Sequence, residues 1–183
     1  MLKAIVSATA LGLCVAGPAA AEVVDRQDNS FTLRMSAPVD AGWGQAFLAV
    51  GDVRHWWNAD HTYSNNAANL SLALEPGACF CEQMADGSTF EHGRVVAVDA
   101  RHGVRLDAPL GPLKERATRA SLTFGWTDTI GRDQVLTLTY VVEGEGVGSL
   151  AAPVDEVLTD QFARWAAWAP RIRPTPRVPP PRP

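Results

Sequence analysis

The chain has 183 residues, 46% of them hydrophobic and 20% charged, with a formal net charge of −4. Those values fit one globular domain with its own core, and the acidic balance argues against nucleic acid as a partner. No apolar run reaches the roughly 20 residues that a membrane-spanning helix needs.

The amino-terminal MLKAIVSATALGLCVAGPAAA carries Lys3, an apolar run from Ala4 to Val15, and the small-residue end Ala19-Ala20-Ala21. This is the pattern of a secretory signal peptide over residues 1–21, so a mature chain of about 160 residues is expected to be exported, periplasmic or secreted. Cys14 leaves with that leader; a lipid-anchor reading is discounted because Leu13 stands where a small residue would be expected. At the other end, residues 171–183 are almost all Pro and Arg without apolar period, which predicts an extended, disordered tail outside the folded domain of residues 22–170. Without Lys3, Arg171, Arg173, Arg177 and Arg182 the formal charge of the body becomes −9. The basic tail is a candidate for weak contact with anionic surfaces.

Within the body, Phe31, Leu33 and Met35 alternate with polar residues and predict a first strand. The segment 38–57 has helical spacing at Trp43, Phe47, Val50 and Val53, interrupted by Gly44 and Gly51, which predicts two short helices. After the loop NADHTYSNNAA come six strand-like segments at 69–74, 77–84, 89–98, 103–110, 117–127 and 134–143. Leu122, Phe124 and Trp126 share one strand face, as do Leu136, Leu138, Tyr140 and Val142. The last segment changes period: Leu150, Val154, Leu158, Phe162 and Trp165 form the stripe of a long amphipathic helix. A one-sided sheet and a one-sided helix must cover each other, so the fold class is α+β, β-α-α-β6-α, with a curved antiparallel sheet wrapped around a C-terminal helix.

The segments VRHWWNADHTYS, EPGACFCEQMADGSTFEHGRVVAVD, LGPL, LTLTYVV and VDEVLTDQFARW, in this order over residues 29–168, resemble the SRPBCC superfamily, also called the START or helix-grip fold. The resemblance is nearest to bacterial polyketide cyclase/dehydrase-like or heat-shock-chaperone ATPase activator-like proteins. A leader peptide points away from work on a cytosolic chaperone. The resemblance implies an internal cavity between sheet and helix, but it carries over no catalytic set.

The expected function is therefore that of an exported protein holding a small, largely apolar molecule, without a cofactor. Candidate ligand contacts are Trp56, Trp57, Tyr63, Cys79, Cys81, His92, Arg94, Phe124, Trp126, Tyr140, Phe162 and Trp165. Arg94 either anchors a ligand carboxylate or pairs with a local acid, and the latter is favoured. The alternative is a cyclase-, dehydratase- or hydrolase-like enzyme in which His92 works with Glu82 or Glu91, with Asp60, His61 and Tyr63 as further candidates.

In GACFCE, Cys79 and Cys81 share a strand face opposite Phe80 and Glu82. Centring the hairpin turn on Asp86-Gly87 places His92 opposite Cys81. Three readings remain open: a metal site of Cys79, Cys81 and His92, a strained redox disulfide, or two shielded thiols. The last is favoured because the spacing is not that of the usual zinc motifs and a disulfide across two strand residues lies near its geometric limit.

Overall fold

A computed structural model describes residues 20–127, 130–131 and 133–173. The leader sequence therefore lies almost wholly outside the described residues, as does the tail beyond Arg173. The elements in chain order are β1 (Ala20–Gln27), β2 (Ser30–Asp40), α1 (Trp43–Gly51), β3 (Leu70–Leu72), β4 (Cys79–Gln83), β5 (Thr89–Asp99), β6 (Gly103–Asp107), β7 (Ala117–Trp126), β8 (Asp133–Gly144) and α2 (Ala151–Trp168). The eight strands form one antiparallel sheet in the order β1-β2-β8-β7-β6-β5-β4-β3.

The alternation in the sequence becomes the inner face of this sheet. One row runs across five strands: Leu33 pairs with Tyr140, Tyr140 with Leu122, Leu122 with Leu106, and Leu106 with Val95. All five side chains are buried. Helix α2 lays Leu158, Phe162 and Trp165 onto this face, and the Trp165 ring meets Phe124 edge-on at 5.1 Å between centroids. Full burial of side chains of this size contributes roughly 1.5–3 kcal/mol each. The inward stripe expected of the helix is the one observed, with Val154 half-buried at its near end.

Three elements differ from expectation. Strand β1 was not foreseen. It begins at Ala20, inside the segment read as a leader, and Val23 and Val24 are both exposed beside a bulge, so it has no period-two pattern to detect. The second small helix is replaced by single 3-10 turns at Val53–His55 and Ala59–His61. These turns are fixed by side-chain bonds: Trp56 Nε1 donates to Ala49 O (2.7 Å), and Asn58 Oδ1 accepts from the Asp60 amide.

The folded body also continues past residue 170. Ile172 packs against the core, and Gln45 Nε2 donates to Ile172 O at 2.8 Å. The tail assigned from residue 171 therefore begins no earlier than Arg173, because a buried glutamine needs those carbonyls as acceptors.

Candidate ligand-binding site

Strands β4 and β5 form a hairpin whose register decides which side chains face inward. Phe80 pairs with Gly93 and Cys81 with Glu91, so His92 is the extra residue of a bulge and has no partner in the ladder. A bulge re-aims the residues around it. Here it turns His92 onto the inner face beside Glu82, and Glu91 and Arg94 to the outer face with the cysteines. The expected pairing of His92 with Cys81 is thus corrected, since the sequence contains no mark of the bulge. Arg94 pairs with a local acid, Glu91, as favoured from the sequence, and donates to Gly77 O at 2.8 Å; with the cysteines it faces away from His92.

Glu82 is fully buried and His92 is 6% exposed. The His92 Nε2 lies 2.8 Å from Glu82 Oε2, which also accepts from the Tyr63 amide (3.1 Å), while Glu82 Oε1 accepts from the Ser64 amide (2.5 Å). Burial alone would raise the Glu82 pKa, but the hydrogen bonds from Ser64, Tyr63 and His92 outweigh it and hold the carboxyl below its ordinary value. For His92 burial dominates and lowers the pKa, against the opposing pull of Glu82. At neutral pH the pair is therefore a carboxylate and a neutral imidazole. A carboxylate only accepts, so the proton sits on Nε2 and leaves Nδ1 as an acceptor. Nδ1 makes no hydrogen bond among the described residues.

Both depressed pKa values act in the same direction on stability. His92 contributes stability that is complete above its ordinary pKa of 6.5 and lost as pH falls through its folded value; Glu82 adds a second loss below 4.5. Urea unfolding is expected to show a stability difference between wild type and His92→Gln that shrinks from pH 7 to pH 5. Parallel pH profiles for the two proteins would contradict the assignment.

An apolar cleft of about 390 Å³ opens beside this pair. Its walls are the 57–63 loop, the 110–112 segment and the first half of α2, with Trp57, Leu110, Pro112, Val154, Val157 and Leu158 as the main apolar surfaces. His61, Thr62, Tyr63 and His92 supply polar groups. The loop is anchored to α2: the Asn58 amide donates to Gln161 Oε1 and Asn58 Nδ2 to Asp160 Oδ2, both at 2.8 Å. Phe80 and Phe90 lie within 5.0 Å of the His92 ring centroid.

Of the residues proposed from sequence as ligand contacts, Trp57, Tyr63 and His92 line this cleft. Trp56, Phe124, Trp126, Tyr140, Phe162 and Trp165 instead fill the space between sheet and helix. Tyr140 donates to Ala108 O at 2.6 Å, and burial pushes its pKa upward. Of the catalytic candidates, Glu82 and His92 come together, whereas Glu91 lies behind the sheet. The α2 and 110–112 walls were not named as contacts from sequence. Their signals were the helical stripe through Val154 and Leu158 and the LGPL stretch.

The two cysteines are joined by a disulfide, with Cα atoms 5.3 Å apart. This corrects the expectation of two shielded thiols. A fully extended strand would separate residues two apart by about 6.6 Å, and the irregular register between Phe80 and Cys81 accompanies a closer approach, within the range that a disulfide spans. Both residues are half-buried on the outer face, away from His92 and the cleft. Neither the metal set with His92 nor a role for Cys79, Cys81 or Arg94 in the cleft wall fits this geometry.

No family model matches the chain, and no curated protein does. Solved structures do match. The di-domain ARO/CYC StfQ from the steffimycin biosynthetic pathway aligns with a TM-score of 0.53 at 12% identity, over 80% of this chain and 52% of that one. Protein MLL2253 from Mesorhizobium loti aligns with a TM-score of 0.55 at 11% identity, over 78% of this chain and 99% of that one. Ara h 8.0201 gives 0.53 at 11% identity, over 78% and 99%.

The chain has the helix-grip fold. It spans about half the length of StfQ and nearly the whole of the other two. In this helix-grip protein the grip of sheet on helix is filled by aromatic rings, and the open space lies at its mouth, next to the Glu82–His92 pair.

Proposed function

We propose that this protein is an exported binder of one small, largely apolar molecule, held in the cleft at the mouth of the grip, and that it performs no chemistry on that molecule. The observation that carries the reading is the cleft itself, with apolar walls on three elements and the His92 imidazole as an acceptor. Its volume is near the lower end of the roughly 300–1,000 Å³ usual for ligand pockets, which suits a compact molecule of one or two rings. A hydroxyl on such a molecule would donate to His92 Nδ1. Placement among the polyketide cyclase/dehydrase-like proteins, rather than the chaperone-activator-like ones, belongs to the same proposal, as does the contact of the basic tail with anionic surfaces.

Titration with 1-naphthol tests the reading, because that probe combines two apolar rings with one hydroxyl donor. Saturable one-to-one binding is expected, weakened at least tenfold by Val157→Trp, which fills the cleft. Equal binding by the wild type and Val157→Trp would refute it.

A second reading is favoured by one observation, the buried Glu82–His92 contact: an imidazole held in a fixed tautomer by a carboxylate is also the arrangement of a general base. Exchange of the α-hydrogens of an aromatic ketone into deuterated water, lost in His92→Gln, would select that reading over simple binding.

A further inference from the structure

The outer face of the β4–β5 hairpin carries a second cluster. The sulfurs of Cys79 and Cys81 and a carboxylate oxygen of Glu91 all lie within 4.8 Å of one another. We propose that this cluster is a redox-gated zinc site: closed while the disulfide is formed, and a three-ligand site for Zn²⁺ once it is reduced.

The gating step is thiol–disulfide exchange with a dithiol reductant. One reductant thiolate attacks a protein sulfur, the Cys79–Cys81 bond breaks, and the displaced cysteine leaves as a thiolate that takes up a proton. The second reductant thiol then displaces the remaining cysteine and closes the reductant's own disulfide. The protein gains two electrons and two protons, and the dithiol loses the same. Zinc binding afterwards releases the two thiol protons to solvent.

The geometry suits zinc in particular. Tetrahedral zinc with Zn–S near 2.3 Å and Zn–O near 2.0 Å places two sulfurs about 3.8 Å apart and a sulfur and an oxygen about 3.5 Å apart. The Cys79 sulfur already lies 3.8 Å from Glu91 Oε2. The two cysteines share one strand face with Cα atoms 5.3 Å apart, so opening the bond leaves both sulfurs on the same side. Arg94 holds the Glu91 carboxylate in place and is itself fixed by its bond to Gly77 O. Two thiolates, one carboxylate and one guanidinium leave a double negative charge, which a divalent cation neutralises. Zinc in such a three-ligand site keeps a fourth position for water or an incoming ligand.

The site is half-buried and lies on the opposite side of the sheet from the cleft, so it stands or falls independently of ligand binding. The test uses the full chain carrying Cys14→Ser, so that the remaining thiols are Cys79 and Cys81. Thiols are counted first, and zinc affinity is then measured by competition with a chromophoric chelator, with and without a phosphine reductant. Expected are no free thiols and no zinc binding before reduction, and two thiols with one zinc per chain after it. Glu91→Gln should weaken the reduced site at least tenfold, Cys81→Ser should abolish it, and His92→Gln should leave it unchanged. Two free thiols before reduction, no zinc bound after it, or an unchanged affinity in Glu91→Gln would each overturn the proposal.

Discussion

Glu82→Ala is expected to lower folding stability by about 3–5 kcal/mol, the usual cost of removing one partner from a buried charged contact. For a chain of this size that corresponds to a fall in melting temperature of roughly 10 °C. The carboxylate is fully buried and accepts from the amides of Tyr63 and Ser64 as well as from His92. Its loss leaves three donors without an acceptor and releases the loop that forms one wall of the cleft. Glu82→Gln keeps an acceptor oxygen but turns an NH₂ group toward the remaining donors, so an intermediate loss is expected. Thermal unfolding followed by circular dichroism measures both. A loss below about 1 kcal/mol in Glu82→Ala, the level of an ordinary hydrogen bond, would mean that the buried pair does not hold the hairpin and loop together.

Gly93→Ala is the second large effect. A β-carbon at this position would sit 2.5 Å from Ala108 Cβ and 2.7 Å from both Ala108 Cα and Asp107 O. None of these atoms is the free end of a flexible side chain, so the strands must separate. Overpacking of this kind costs about 1–3 kcal/mol, and here the strain falls on the residue next to the bulge that turns His92 inward. The Gly93→Ala protein should therefore lose both stability and 1-naphthol affinity. Gly44→Ala is the control: its β-carbon meets nothing within 4 Å in helix α1, and the change should stabilise by about 0.5–1 kcal/mol. Similar effects at the two positions would contradict the close approach of β5 to Ala108.

Which of these features the sequence reveals depends on how regular the local packing is. The strands that bury one face announce themselves by alternation, as in Leu136, Leu138, Tyr140 and Val142, and the stripe of α2 by its three- and four-residue steps. Strand β1 is silent because it lies at the edge of the sheet and buries little, with two adjacent exposed valines at its bulge. The proximity of Glu82 and His92 was legible only as one of several pairings, because the turn is one residue longer than the Asp86-Gly87 pattern implies: Gln83, Glu82 and Cys81 pair one residue out of that register, and the bulge at His92 restores it at Phe80–Gly93 and Cys79–Arg94. For the same reason His92 and the cysteines, adjacent by simple register, are on opposite faces. The aromatic residues carry the least information about their place. Period places Phe124, Phe162 and Trp165 on inward faces, but whether such rings line a space or fill it depends on the depth of the sheet's curve, which a pattern of residue types does not encode. The cleft was left where these rings end, at Trp57 and Val157.

The most direct measurement of the binding reading is a residue-resolved NMR titration of the isotopically labelled protein with 1-naphthol. Resonances of Trp57, Tyr63, Val157 and the His92 ring are expected to move together and saturate at one equivalent, with His92 Nδ1 shifting as it accepts the hydrogen bond from the hydroxyl, while Cys79, Cys81 and Arg94 stay still. Shifts confined to the outer face of the sheet, or no saturable shift in the cleft, would contradict the binding reading.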